Sequence, residues 1–151
     1  MEDNDYFGHS LASAGGMSKT NRVLYGALIE AVRYFAQDTT RRAQTEDLQG
    51  YQNCMYRLDK DRYSKRCAVG YFIPDNLYDE DMEGKNASQL VTRYNHCLRE
   101  DVREAFAQRP IVVDRMQTLH DGDYYWNEKR GLSAAGQKKF KELCHWLRND
   151  Y

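Results

Sequence analysis

No stretch of the sequence approaches the ~18 consecutive apolar residues that a membrane-spanning helix needs. Cysteine is scarce: Cys54, Cys67, Cys97 and Cys144 are too few and too scattered to staple a disulfide scaffold. A basic excess is missing as well. The 22 Lys and Arg are offset by 23 Asp and Glu, for a net charge of -1, whereas nucleic-acid binding normally leaves a cationic footprint that neutralises phosphates. The local clusters Arg41-Arg42 and Lys138-Lys139-Lys141 have acidic neighbours and read as solvated faces. The opening segment MEDNDYFGHSLASAGG has neither the basic start nor the apolar core of a secretory leader. Asn86-Ala87-Ser88 therefore carries no weight as a glycosylation acceptor. Together these absences point to a cytoplasm that keeps the thiols reduced, with no membrane association and nucleic acid disfavoured as a partner.

What is present is an ordinary globular composition, 41% hydrophobic and 30% charged, over 151 residues. That length suits one domain with a real core. Aromatics reach 13%, with 12 Tyr among them; tyrosine serves recognition surfaces as well as half-buried packing. Residues 1–17 lack periodicity and carry Gly15-Gly16, so they read as a flexible N-terminal arm before a single domain over 18–151.

Ser18 or Thr20 is placed to cap a helix reaching Gln37, with Leu24, Ala27, Leu28, Ala31, Val32 and Phe35 on one face. Residues 38–50 are polar and read as loop, with a helical turn near 45–48. Two strands are expected over 54–57 and 66–73, joined by a charged turn over 58–65. The second is almost wholly apolar, as for a strand covered on both faces. Pro74 ends it, and Gly70 marks a bulge or close backbone approach. After a turn-rich stretch over 75–84, Asn86 or Ser88 caps a helix carrying Leu90, Val91, Tyr94, Cys97 and Leu98 and continuing through Val102 to Phe106. Pro110 suits the first turn of a helix running to Leu119 and ended by Gly122. Residues 123–130 are aromatic-rich and irregular. Ser133 opens a last helix with Phe140, Leu143, Cys144 and Leu147 on one side. No internal repeat or linker divides the chain. The expected fold class is α+β, about four helices packed around a small antiparallel β-hairpin.

The stretch over 54–84 is the most constrained. It carries Cys54-Met55-Tyr56-Arg57, Cys67-Ala68-Val69-Gly70, Ile73-Pro74-Asp75, Tyr78-Asp79 and Glu83-Gly84, followed far downstream by Met116-Gln117-Thr118-Leu119-His120-Asp121. In these motifs the chain resembles a family of small bacteriophage- and prophage-encoded proteins, over about half its length. It departs from that pattern at Leu58-Asp59-Lys60-Asp61-Arg62-Tyr63, where the family carries a glycine-containing turn, and in its leader and its Tyr124-Tyr125-Trp126 segment. The resemblance implies a phage origin, residence in the cytoplasm of an infected bacterium, and an accessory role exerted by binding a host or anti-phage defence protein.

Four constellations carry chemistry. Cys54 and Cys67 with His120 and Asp121 have the ligand types of a zinc site, although no close C-x-x-C or H-x-x-x-H pair exists, and buried cysteine is commonly a small hydrophobe. Cys67, His120 and Asp121 also have the types of a thiol nucleophile, its base and an orienter; the plainer reading of His120-Asp121-Gly122 is a helix C-terminus. Asp79, Asp81 and Glu83 before Gly84 mimic the start of a calcium loop, but Leu90 stands where the bidentate carboxylate belongs. Tyr56, Tyr71, Phe72, Tyr78 and Tyr124-Tyr125-Trp126, with Arg57, Arg62, Arg66, Asp75 and Asp79, form a candidate binding surface for a protein or a nucleotide-like ligand; the plainer reading is that these aromatics close the small core over the hairpin. The favoured expectation is a non-catalytic binding protein without a cofactor. The alternative is a small Cys/His-dependent hydrolase or zinc enzyme.

Overall fold

The computed structural model describes residues 17–42 and 67–149, together with the backbone of four short strands between them. The arm expected over 1–17 lies outside the described residues except for Met17, which is 7% exposed and belongs to the core. No helix among the described residues is long and apolar enough to cross a membrane.

The chain begins its ordered body with α1 (Lys19–Gln37), where the Ser18 side chain accepts the Asn21 N–H and satisfies one orphan donor. Ten of its 19 residues are buried, from Asn21 to Ala36. A helix covered over that much of its circumference must be central, and α1 contacts three others. These are α3 (Arg103–Gln108), α4 (Pro110–Asp121) and α5 (Ala134–Asn149), while α2 (Ala87–Arg93) lies against α4. Pro110 occupies the first turn of α4, where its missing N–H costs nothing. Asn86 and Gln89 close a reciprocal capping box on α2.

The α+β expectation is overturned: among the described residues five α-helices make up the body, and no sheet organises them. The strand expected over 66–73 is extended only at its start. From Cys67 the backbone turns, with Tyr71 N–H bonded to Cys67 O at 2.9 Å and Phe72 N–H to Val69 O at 2.9 Å, into a 3-10 helix over Gly70–Phe72. A short all-apolar run has no period, so a buried strand and a buried helical turn look alike in sequence. The segment expected as the first strand is split, one strand ending at Cys54 and another beginning at Arg57. The ladders are short pairs: β1 (Gln44–Glu46) with β2 (Gln52–Cys54), and β3 (Arg57–Leu58) with β4 (Lys65–Arg66), both antiparallel. The described core is drawn from the α-helices and the 3-10 and loop segments; Phe72, Ile73, Met82 and Leu98 are each at most 1% exposed.

The helix expected to run from Asn86 to Phe106 is also broken. Asn95 donates to Val91 O at 3.0 Å and to Arg103 O at 2.8 Å, tying the end of α2 to the start of α3 across two 3-10 turns. Gly84, at φ +83°, supplies the left-handed backbone that ends the acidic loop.

Two glycines inside helices differ in their surroundings. A Cβ on Gly136 in α5 would lie 1.9 Å from Tyr125 O, whereas one on Gly26 in α1 would meet nothing within 4 Å. Gly26 forgoes the roughly 1 kcal/mol that alanine gains in a helix interior, and Gly136, in the first turn of α5, forgoes less. Gly136→Ala is therefore expected to destabilise by about 2–4 kcal/mol, backbone displacement exceeding the propensity gain. Gly26→Ala is expected to stabilise by about 0.5–1 kcal/mol. Urea unfolding followed by circular dichroism measures both signs.

Candidate functional site

Cys67 and His120, expected as a thiol and its base, are both buried. Cys67 is 1% exposed, and its sulfur accepts the Gly70 N–H at 3.3 Å. His120, in the last turn of α4 and 2% exposed, packs edge-on against Phe35 with ring centroids 4.7 Å apart. Its Nδ1 lies 3.2 Å from Asp121 Oδ1. The 67–70 turn does reach α4, but through Gln117, whose Oε1 accepts the Val69 N–H at 3.2 Å and whose Nε2 donates to Asp121 at 2.9 Å. Ala68 and His120 line one small apolar cavity with Met116 and Trp126. The Cys54 side chain lies outside the described residues. Among those described, no three His, Cys, Asp or Glu are grouped to hold a metal.

The C-terminus of α4 explains what His120 and its neighbours do. Arg42, with a side chain only 9% exposed, donates to His120 O at 2.9 Å and Asp121 O at 3.3 Å and pairs with Asp123 at 2.9 Å. The Trp126 indole N–H donates to Leu119 O at 3.0 Å. Cationic and N–H donors thus satisfy the last carbonyls of the helix and oppose its negative end.

The expected aromatic surface separates into parts. Trp126 is buried as that cap, Tyr125 is half-buried with its hydroxyl 2.9 Å from the Tyr124 hydroxyl, and Tyr124 is 67% exposed. Asp75 is exposed at the start of a 3-10 turn. Tyr78 donates to Glu83 at 2.6 Å, and Asp79 accepts the Asp81 N–H at 2.9 Å, so the acidic loop is closed by its own hydrogen bonds. Tyr56, and the side chains of Arg57, Arg62 and Arg66, lie outside the described residues; in backbone register Arg57 pairs with Arg66.

Tyr71 has a different setting. Its hydroxyl donates at 2.8 Å to Glu30 of α1, whose carboxylate also takes both terminal nitrogens of Arg99 at 2.7 and 2.8 Å. Arg99 turns its other edge to Asp101, at 2.6 and 2.9 Å, and lies over the Phe72 ring at 5.0 Å. The Tyr71 ring packs 4.8 Å from Tyr34, which carries the Arg41 guanidinium at 4.6 Å. Beside this wall an open groove of about 360 Å³ runs along the outer face of α1, lined by Gly26, Ile29, Glu30, Arg33, Tyr34, Gln37 and Tyr71. A larger hollow of about 430 Å³ lies between Lys85, Asn86 and the Asp114–Asp121 face of α4. It has no aromatic wall, and its polar groups are engaged: Asn86 caps α2, Asp114 accepts from Ser88, and Gln117 bridges Val69 and Asp121. The α1 groove is the better candidate. Of its residues sequence reading singled out Tyr71; Glu30 and Arg99, 69 positions apart, leave no local signal of their pairing.

The pair fixes the electrostatics. Hydrogen bonds from Arg99 hold Glu30 and Asp101 below the usual carboxylate range, and Arg99 is held above its own. Burial, then the Glu30 hydrogen bond, pushes Tyr71 up to about 12. A depressed carboxylate adds stability that is present above its unfolded pKa and lost as pH falls through that range toward the folded value. A raised phenol adds stability that is present below its unfolded pKa and lost as pH climbs from 10.0 to about 12. The urea midpoint is expected to fall on both flanks, less steeply below about pH 5 in Glu30→Gln and less steeply above about pH 10 in Tyr71→Phe. Wild-type slopes in both variants would remove the pair from the account.

Burial likewise raises Cys97 and pushes the Cys144 thiol up to about 11. In a Cys54→Ser background, Ellman's reagent is expected to modify the three buried thiols at least ~100-fold more slowly in native protein than in urea. One native thiol reacting at the unfolded rate would restore a reactive cysteine. No family model matches this chain, and no curated protein or solved structure is significantly similar to it.

Proposed function

We propose that this chain is a non-catalytic binding protein that takes a protein partner into the groove along α1. One observation carries the reading: Gly26 sits near the middle of the central helix, at a cost of roughly 1 kcal/mol, and a Cβ there would meet nothing within 4 Å. Nothing among its described neighbours calls for glycine. A partner that approaches the helix backbone closely does. The wall opposite is set before any partner arrives, because Tyr71 is hydrogen-bonded to the Glu30–Arg99 pair and packed on Tyr34. Holding contact residues in place lowers the ordering cost of association, and tyrosine and arginine are common in binding hot spots.

The phage-protein resemblance supplies the setting: an accessory protein in the cytoplasm of an infected bacterium, acting on a host or anti-phage defence component. The test is capture from infected-host lysate by tagged protein. Gly26→Trp is expected to keep the wild-type circular dichroism and urea midpoint yet lose the captured partner, while Tyr124→Ala, away from the groove lining, retains it. Identical capture by wild type and Gly26→Trp would sink this reading.

A further inference from the structure

We infer that the groove along α1 is covered, before any host partner arrives, by the same groove of a second copy of this chain, the two α1 helices crossing antiparallel about a two-fold axis at Gly26; this rests on the groove being the binding site. A two-fold contact has to be its own complement, since one patch meets itself. The outer face of α1 has that property around Gly26. Along it stand Arg22, Val23, Gly26, Ile29 and Glu30. The basic and apolar positions before the glycine thus answer the apolar and acidic positions after it.

Residues three and four positions from Gly26, in either direction, lie on its side of the helix. In an antiparallel pair centred there, each Val23 faces Ile29 of the second copy, and each Arg22 faces Glu30 of the second copy. Arg22 is exposed, Val23 and Glu30 are half-buried, and Ile29 lines the groove. Glu30 has room for a further donor. Its side chain is 38% exposed, and its carboxylate receives the Tyr71 hydroxyl and two nitrogens of Arg99, three of the roughly four bonds an ionised carboxylate accepts. Arg99 also holds Asp101, so two acids share one cation at this point. The Arg22 guanidinium of the second copy meets surplus negative charge there, and symmetry repeats the pair.

Gly26 is what lets the helices cross. Packed helix axes lie about 8–10 Å apart, at a spacing set by the side chains in the contact. With no Cβ at position 26, and nothing within 4 Å of where one would stand, the two backbones approach at the near end of that range. At the common crossing angle of roughly 50° the contact is confined to the turns nearest the crossing, which hold Arg22 and Glu30. Lys19 and Arg33, both basic and a turn further out, face each other only where the helices have diverged. A parallel pair lacks the match, because it sets Arg22 on Arg22 and Glu30 on Glu30. The second copy is therefore an occupant that accounts both for the glycine and for the order of charges around it. A host or defence protein that enters the groove does so by displacing it.

The experiment is sedimentation velocity of the intact chain over a concentration series, joined to mild diamide oxidation of Gly26→Cys in the Cys54→Ser background. Wild type is expected to pass from monomer to dimer as concentration rises. The dimer dissociation constant is expected to increase at least ~10-fold in Arg22→Glu, which turns two attractions into repulsions. The dimer is expected to vanish in Gly26→Trp and to persist in Tyr124→Ala. Position 26 lies on the two-fold axis, so Gly26→Cys is expected to give a disulfide-linked dimer where Arg33→Cys does not. Circular dichroism of each variant checks that the fold is kept. A monomer at every concentration, or a dimer that Gly26→Trp leaves intact, overturns this inference. The binding reading is decided apart from it, by whether Gly26→Trp loses the partner captured from lysate. Cross-linking through Arg33→Cys as readily as through Gly26→Cys, with no effect of Arg22→Glu, overturns the antiparallel crossing.

Discussion

Burial of α1 is the constraint on which the rest of the molecule depends. Leu24, Leu28, Val32 and Phe35 are at most 4% exposed, and Tyr25, Ile29 and Ala36 widen the covered arc well beyond one stripe. Each large apolar side chain removed from water contributes roughly 1.5–3 kcal/mol, so the helix is the principal hydrophobic surface on which the other elements settle. Helices alone do not cover it. The irregular chain between residues 67 and 102 brings Phe72, Ile73, Met82 and Leu98 into the same core, and it can be buried because its backbone bonds to itself through short 3-10 turns. Arg99 then joins that chain to α1 through the Glu30 carboxylate, while its own N–H, bonded to Phe72 O at 2.7 Å, ties the chain to itself.

The same constraint decides what becomes of the residues with reactive chemistry. A thiol in a turn pressed against α4 and an imidazole in the last turn of that helix are positions at which packing and capping compete with catalysis. Here both side chains are buried, Cys67 at 1% and His120 at 2% exposure. His120 is held by Phe35 on its ring and by Arg42 on its carbonyl. Arg42, Trp126 and the 3-10 turn at Asp123–Tyr125 close the C-terminus of α4, and that turn is in contact with α5. The short Tyr125–Gly136 approach brings the end of one helix and the start of another together at one point.

How much of this could be read in the sequence depends on how local the cause is. The start of α1, the start of α2 and the Pro110 turn are set by neighbours within four residues, so the sequence narrows them to Ser18 or Thr20, Asn86 or Ser88, and Pro110, of which the structure uses Ser18, Asn86 and Pro110. The face of α1 was legible for the same reason, though its width was not, because the positions of Tyr25 and Ile29 are decided by what packs on the far side. Residues 67–73 were misread because a run with no polar residue carries no period to distinguish pleat from turn. The break after Arg93 depends on Asn95 reaching Arg103 O, a bond that replaces helix continuation with a side-chain bridge. The groove was reached only through Tyr71. Its Glu30–Arg99 support joins positions that only the fold brings together, so no spacing rule could have found it.

Gly26 and Gly136 show how a local cost can separate structure from function. Gly26 lies inside its helix and Gly136 in the first turn of its own, and each gives up some helix propensity. Around Gly136 the cost is offset within the molecule, since the Tyr125 carbonyl occupies the place a methyl group would take. Around Gly26 no such occupant exists among the described residues, and the position opens onto the groove whose opposite wall is pinned by an ion pair and two tyrosines. Sequences tend to break local rules where folding gains something or where a site does. The fold thus accounts for one glycine and leaves the other, on the open face of α1, as the position on which the proposed binding rests.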